Sequence, residues 1–446
     1  MKIRQIEVTN FRFFERQAFN LSDQFTVFIG DNGTGKTAII KALATGSSLL
    51  FLVWQLDNIS ARDYHFDVDD VRCIKYSQNE TIVVEPQFPF RVNCQGIIDN
   101  YSVNWGLQIS SLNYLNPEKR DLDPEKRDLE FSSGNAGIIL KKLGKKVSDG
   151  EDVVLPLVAL YGTNRLWTAN SRDEIQTIKP GSRMRGYTDC LNSASNLKGL
   201  LAWFKTMELA SLQRGKSLAV LDAVKAAIIN CIEECESVQY DILEDQLMVK
   251  LKNNSKLPLK MLSDGFRTML AMVADIAYRA AVLNPHLGNE AAQKTPGIVL
   301  IDEIDLHLHP KWQRRVVNDL RRTFPEIQFV ATTHSPFIIQ SLREGELINL
   351  DKPEASEEYS DRSIEDIAEN VMDVELPQKS QRYLDMMAAA EEYYRVLDRA
   401  KDASAEEIKR LEKRLDELML PYSDDPAYQA FLKVKREAAR IGKGAK

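Results

Sequence analysis

The octapeptide GDNGTGKT, residues 30–37, limits the fold more than any other stretch. It satisfies G-x-x-x-x-G-K-[ST] in full and stands between an apolar run, FTVFIG, and a helical one, AIIKALATGSSLLFLVWQL. A strand that turns through such a loop into a helix calls for a parallel sheet, that is, an α/β core. Gly30, Gly33 and Gly35, with Asp31, Asn32 and Thr34 between them, form a loop whose backbone amides close around phosphate oxygens. The helix that follows adds the positive end of its dipole. Lys36 supplies a charge for the β- and γ-phosphates and Thr37 a hydroxyl for Mg2+, so ATP with Mg2+ is the expected ligand pair.

A second apolar strand, in PGIVLIDEIDLHLHP (296–310), ends in two adjacent carboxylates. Neighbouring side chains on a strand point to opposite faces, and at the strand end they can take separate tasks. Asp302 is expected to hold Mg2+ through water, and Glu303 to orient or deprotonate the attacking water. FVATTHSP places His334 at the end of the next strand, where an imidazole reaches the γ-phosphate or that water. His307 and His309 look like a metal pair but lack a third protein ligand. Between the two strands, KWQRRVVNDLRR carries Lys311, Arg314, Arg315, Arg321 and Arg322, which form either a solvated face or a phosphate-binding one.

LSDGFRT (262–268) is a small-residue turn running into a helix whose apolar face is Met269, Leu270, Met272, Val273 and Ile276. It is either an ordinary N-cap or half of an ATP site completed by another molecule. Residues 81–111 alternate in short runs broken by Pro, Gly and Asn, the pattern of an antiparallel lobe. PEKRDLDPEKRDLE duplicates a heptad and reads as a solvated excursion. LPLVALYGTNR is a buried strand delivering Arg165, and residues 196–236 look helical. From about Ser363 the composition turns to Glu, Lys, Ala and Leu in helical periods. Ile408, Leu411, Leu415 and Leu418 form one stripe there, and Met387, Ala390, Tyr394 and Leu397 another.

With a net charge of -7 the chain has no global basic field, so any DNA binding must be local. The longest apolar stretch, Leu49 to Trp54, is far too short for a bilayer, and the expected location is cytoplasmic, with no membrane partner. Cys73, Cys94, Cys190, Cys231 and Cys235 are odd in number and scattered, as reduced thiols are. Cys231 and Cys235 fall at i,i+4, but nothing nearby completes a metal set.

GDNGTGKT, LSDGFRT, LIDEID with LHPKWQ behind it, and TTHSP together resemble an ABC-type ATPase head, with NFR and DEIDLHLHPKWQ similar to its RecF, OLD and SMC side. LPLVALYGTNRLW, SRMRGYTDC and LAWFKTM further resemble the PtuA-like ATPases of Septu anti-phage systems, some of which accompany retrons. The resemblance implies an α/β fold: an ABC-type head with a P-loop, a mixed sheet with an antiparallel lobe, a helical insertion and a C-terminal helical tail. The head would span 1–350, with a variable lobe at about 60–257, and the tail 351–446. It implies a head-to-tail homodimer or higher oligomer, in which Ser263 and Gly265 touch the γ-phosphate bound to the other copy. Arg12 of NFR joins the nucleotide-binding set on the same grounds. A separate HNH nuclease is the implied partner.

There are departures from the pattern. His309 stands where transporters carry the D-loop Asp, and only Gln55 offers itself as the Gln that watches Mg2+. The interval from Thr37 to Ser263 is too short for SMC-like coiled-coil arms, and no OLD-type nuclease segment follows TTHSP. The alternatives are a RecF-like DNA-repair ATPase and, ranked below it, a transporter ATPase.

Overall fold

The computed structural model describes residues 1–54, 68–78, 81–111, 129–165, 182–192, 197–352, 359–374 and 377–400, with isolated positions beyond 400. Gln55, most of the duplicated heptads and the stripe Ile408, Leu411, Leu415 and Leu418 lie outside the described residues. Two compact units are present, Met1–Ile367 and Ala368–Lys446.

The first unit is built on a parallel sheet of β3 (Phe25–Ile29), β9 (Leu157–Tyr161), β13 (Gly297–Ile301), β14 (Ile327–Thr332) and β15 (Leu347–Asn349), in the order β15-β3-β14-β13-β9. Every residue of β3, β13 and β14 is buried, which explains their largely apolar sequences: a strand covered on both faces has no solvent side on which polar residues alternate. Ile301 pairs with Ala331 and Thr332 with Phe28, so the C-terminal ends of β3, β13 and β14 lie level. In an open parallel sheet that is the edge where ligands bind.

A second, antiparallel sheet of β1 (Lys2–Phe11), β2 (Phe14–Asn20), β6 (Phe90–Ile98), β7 (Tyr101–Ile109) and β8 (Leu129–Ser132) runs β2-β1-β6-β7-β8. A register shift between Ile3 and Gln5 makes Ile3 and Ile6, three residues apart, face the same core. The two sheets are tied by Gln328 of β14. Its buried amide accepts the Ile3 N–H at 2.8 Å and donates to the Ile3 carbonyl at 2.7 Å. β4 (Cys73–Gln78) and β5 (Thr81–Pro86) form a separate ribbon, and β10 (Cys235–Asp241), β11 (Gln246–Leu251) and β12 (Lys256–Pro258) a third sheet. The helices α1 (Lys36–Ser47), α2 (Leu49–Trp54), α3 (Gly134–Ser148), α4 (Leu197–Arg214), α5 (Ala219–Cys231) and α6 (Asp264–Leu283) complete the elements before β13, with the short α7 (Ala291–Lys294). After β13 come α8 (Pro310–Gln313), α9 (Val316–Thr323), α10 (Pro336–Ile339), α11 (Ile364–Asn370) and α12 (Gln381–Ala400). This is an α/β architecture, a parallel sheet beside an antiparallel one with helices around them, and helical elements follow it in the chain.

Three local expectations are corrected. The segment after the glycine loop is two helices, not one, broken at Ser48, whose hydroxyl donates to the Thr45 carbonyl at 2.7 Å. The helical stretch expected over 196–236 is α4 and α5, and it stops at Cys231. From Cys235 the burial period becomes that of a strand, with Val238 and Tyr240 inward. Cys231 and Cys235 therefore do not share a helix face, and burial raises their thiols to about 12 and about 11, away from the thiolate a metal needs. The basic stretch 311–322 breaks between α8 and α9.

SRMRGYTDC finds its reason in α6. Arg279 Nη1 donates to the carbonyls of Gly186 and Thr188 at 2.9 and 2.8 Å, and its Nε to Asp275 Oδ2 at 2.8 Å. Tyr161, at the end of β9, donates its hydroxyl to the same Asp275 oxygen at 2.7 Å. Burial pulls the Arg279 guanidinium of this ion pair down, but Asp275, Cys190 and Tyr161 together raise it above its ordinary value. Removing one partner of such a buried pair costs about 3–5 kcal/mol. Among the described residues no helix is long and apolar enough to cross a membrane.

Candidate nucleotide site

The loop between β3 and α1 turns on its glycines. Gly35 has φ 103, and a Cβ there would meet the Phe14 ring at 2.7 Å. α1 starts with no side-chain cap and no acidic residue in its first turn, which leaves its N-terminal amides for an anion. Lys36 folds back on the loop, its Nζ donating to the carbonyls of Gly30 and Asp31 at 2.7 and 2.8 Å. Burial pulls the Lys36 ammonium below its ordinary pKa, against the opposing pull of Asp351, then Asp31, Asp302 and Glu303. That ring of carboxylates places the strand-end acids beside the loop.

Thr37, on the first turn of α1, donates its hydroxyl to Asp302 Oδ2 at 2.9 Å, joining residues 265 positions apart. A hydroxyl and a carboxylate converging in this way are the hard oxygen donors that suit Mg2+, which takes few protein ligands. Among the described residues no group of three or more His, Cys, Asp or Glu side chains is placed to hold a metal by itself. Asp302 Oδ1 accepts from the Thr332 hydroxyl at 2.6 Å, and the Glu303 N–H donates to the same Thr332 oxygen at 2.7 Å. Glu303 has φ 51, in the left-handed region. His334 is exposed just after β14, and its N–H donates to Asp305 Oδ1 at 3.4 Å. Asp305 also accepts from the Thr333 hydroxyl at 2.5 Å.

Ser263 caps α6, its hydroxyl accepting the Phe266 N–H at 3.4 Å. Gly265 is buried, and a Cβ there would stand 2.3 Å from the His307 carbonyl oxygen. Phe266 packs on Trp312 with ring centroids 5.3 Å apart. Within one chain the LSDGFRT turn is thus seated on the segment after the acids. Among the described residues Ser263 and Gly265 make no hydrogen bond to the glycine loop.

Other sequence candidates have different partners. Arg12 is engaged by the buried Asp70: its Nε and Nη2 lie 2.9 and 2.8 Å from Asp70 Oδ1, while Lys41 of α1 donates to Oδ2 at 2.5 Å. Through Asp70 the Arg12 guanidinium, expected in the nucleotide-binding set, also braces the N-terminal hairpin against α1. His309 caps α8, its Nδ1 accepting the Lys311 N–H at 3.2 Å, so it is half of a cap and not of a metal pair. The basic stretch is largely consumed within the chain. Arg321 is buried and donates to both Glu346 oxygens at 2.9 and 2.7 Å, and Arg315 reaches Glu233 and Asp319. Arg322 reaches Asp319, and Arg314 lies over the Phe337 ring at 5.1 Å.

Thr332, Asp305, Asp351 and Asp70 were missed by sequence reasoning. Asp351 follows β15, and its Oδ2 accepts the Asp31 N–H at 2.8 Å. Only the doubled Thr before His334 and the second Asp of DEID offered a local signal. Their meaning depends on β13 and β14 being neighbours.

Comparison with known proteins finds ATPase families that match two parts of the chain. A family described as "AAA ATPase domain" matches residues 1–134, the part holding the glycine loop, and one described as "AAA domain, putative AbiEii toxin, Type IV TA system" matches 236–340, the part holding LSDGFRT, the acids and His334. The chain is 25% identical over 395 residues to "Retron Vc95 probable ATPase" of Vibrio cholerae, covering 77% of this chain and 72% of that one. It is 44% identical over 106 residues to "Septu protein PtuA" of Bacillus mycoides, 24% of this chain and 14% of that one. The chain is an ATPase, similar in sequence to retron ATPases and, over a shorter stretch, to Septu PtuA. Among solved structures, the SMC head domain from Thermotoga maritima aligns with the ATPase at TM-score 0.42 and 13% identity, over 78% of this chain and 94% of that one.

Proposed function

We propose that this ATPase is the ATP-binding and hydrolysing subunit of an anti-phage defence complex, that it dimerises head to tail, and that it controls a separate HNH-type nuclease. The observation that carries the hydrolytic part is the Thr37–Asp302 contact, which joins the glycine loop to an acid-ended strand carrying Glu303. The relation to PtuA and to retron ATPases supports the defence role.

In this reading the amides of 30–37 and Lys36 bind the β- and γ-phosphates. Lys36 exchanges its two carbonyl partners for phosphate oxygens. Thr37, and Asp302 through water, would hold Mg2+, which would supply charge neutralisation on the phosphates. Glu303 accepts a proton from the attacking water, and His334 contacts the γ-phosphate. Ser263 and Gly265 of a second copy close the site. The in-chain pairing of Arg315, Arg321 and Arg322 weighs against a DNA-binding role for that helix and with it against the repair alternative.

Separating binding from turnover tests the assignment. Glu303→Gln is expected to keep ATP affinity and to lower kcat by about two orders of magnitude. Lys36→Ala is expected to lose affinity. Equal loss of affinity in both variants refutes the division of roles. Whether the neighbouring gene encodes an HNH nuclease, and whether the two products co-purify after co-expression, tests the partner, and failure of the two to associate sinks that part.

A further inference from the structure

We infer that Thr332 is a positioning residue that sets both acids of the hydrolytic site, an inference that rests on the ATPase reading above. Thr332 is the last residue of β14 and is fully buried, so it touches neither nucleotide nor water itself. An ionised carboxylate only accepts, so the Thr332 hydroxyl must donate to Asp302 Oδ1, at 2.6 Å. The same oxygen then accepts the Glu303 N–H at 2.7 Å. The Thr332 carbonyl takes the Ile304 N–H at 2.9 Å. One residue therefore grips three consecutive positions of the acid turn.

The grip accounts for a backbone feature at the centre of the site. Glu303 sits at φ 51, a conformation that side-chain-bearing residues seldom adopt unless their surroundings over-determine it. Bonds to its own N–H and to the residues on both sides supply that constraint, and the left-handed turn sets the direction in which the Glu303 side chain leaves the strand. With Oδ1 of Asp302 held by Thr332, Oδ2 is the oxygen presented to Thr37. Thr332 also pairs with Phe28 of β3, the strand that delivers the glycine loop, so one residue references both acids to the phosphate-binding element.

The test compares Thr332→Val, which keeps the shape and removes the hydroxyl, with Thr332→Ser, which keeps the hydroxyl. Glu303→Gln serves as control. In Thr332→Val, kcat is expected to fall by about 10²-fold, while affinity for a fluorescent ATP analogue without Mg2+ stays within about threefold. The gain in that affinity on adding Mg2+ should shrink. Thr332→Ser is expected to restore both readouts to within about fivefold of the wild type. Should Thr332→Val not fold, Thr332→Ala takes its place. Wild-type turnover and Mg2+ response in the hydroxyl-free variant, with Glu303→Gln inactive, overturns the positioning role alone. So does a folded Thr332→Ser as inactive as Val. If Glu303→Gln hydrolyses at the wild-type rate, the ATPase site itself is misassigned, and the inference falls with it.

Discussion

Two helices of the first unit begin at glycine-bearing turns and treat their first amides in opposite ways. α1 starts from Gly35 with nothing bonded to its N-terminal amides from a side chain and no carboxylate in its first turn. α6 starts from Ser263, whose hydroxyl caps it, with Asp264 next in line and paired to Arg267. A side-chain cap contributes about 0.5–2 kcal/mol, so α1 forgoes that stability and keeps its positive end for a phosphate. α6 is already satisfied within its own chain. An anion reaching α6 from a second copy must compete with Ser263's own hydrogen bond and with the charge of Asp264. In the proposed dimer, primary binding falls to α1 and a conditional, closing role to α6.

The sharpest way to break that assignment is to disable the two turns in different chains. Lys36→Ala and Ser263→Arg are each expected to abolish hydrolysis, the first by losing nucleotide and the second while still binding it. Mixed in equal amounts, they should recover about a quarter of the wild-type rate, because random pairing into two-fold dimers leaves one intact composite site in half of the dimers. No recovery, with mixed dimers demonstrated, means that the site is built within one chain and that α6 serves only the fold.

Gly265 sharpens the same point with a smaller effect. Its Cβ position lies 2.3 Å from the His307 carbonyl oxygen, so Gly265→Ala forces α6 away from the segment behind the acids. Overpacking of this kind costs about 1–3 kcal/mol, readable as a lower denaturation midpoint. Unchanged stability with lost hydrolysis transfers Gly265 from packing to the ligand.

How much of this was legible in the sequence follows from how local each feature is. The glycine loop, the strand-end acids and the cap at Ser263 are contiguous motifs, and their chemistry could be read in place. The central strands of the parallel sheet declared themselves as largely apolar runs. What escaped is made of contacts across the chain: Thr332 to Asp302, Asp351 to Asp31, Asp70 to Arg12. The basic helix misled for the same reason. Arg321 and Arg315 look solvated until Glu346 and Glu233 fold against them, and neither acid is near them in sequence. The change from helix to strand after Cys231 was hidden by a mixed apolar stretch that satisfies either period over a few residues.

The smallest expected effect separates the cap from the ligand at Ser263 itself. Ser263→Ala removes the acceptor of the Phe266 N–H and is expected to lower stability by about 1 kcal/mol. Ser263→Asp caps as well as Ser does, and its carboxylate suits a helix N-terminus, so stability should stay at the wild-type value. Hydrolysis should separate the two variants in the other direction. In the proposed dimer, the alanine variant only loses a hydroxyl facing the γ-phosphate, whereas the aspartate sets a second carboxylate beside Asp264 and repels it. Steady-state rates and denaturation midpoints of the two variants check the prediction together. An aspartate variant that hydrolyses as fast as the wild type means that no anion approaches the first turn of α6. α1 would then be the only working helix terminus of the pair.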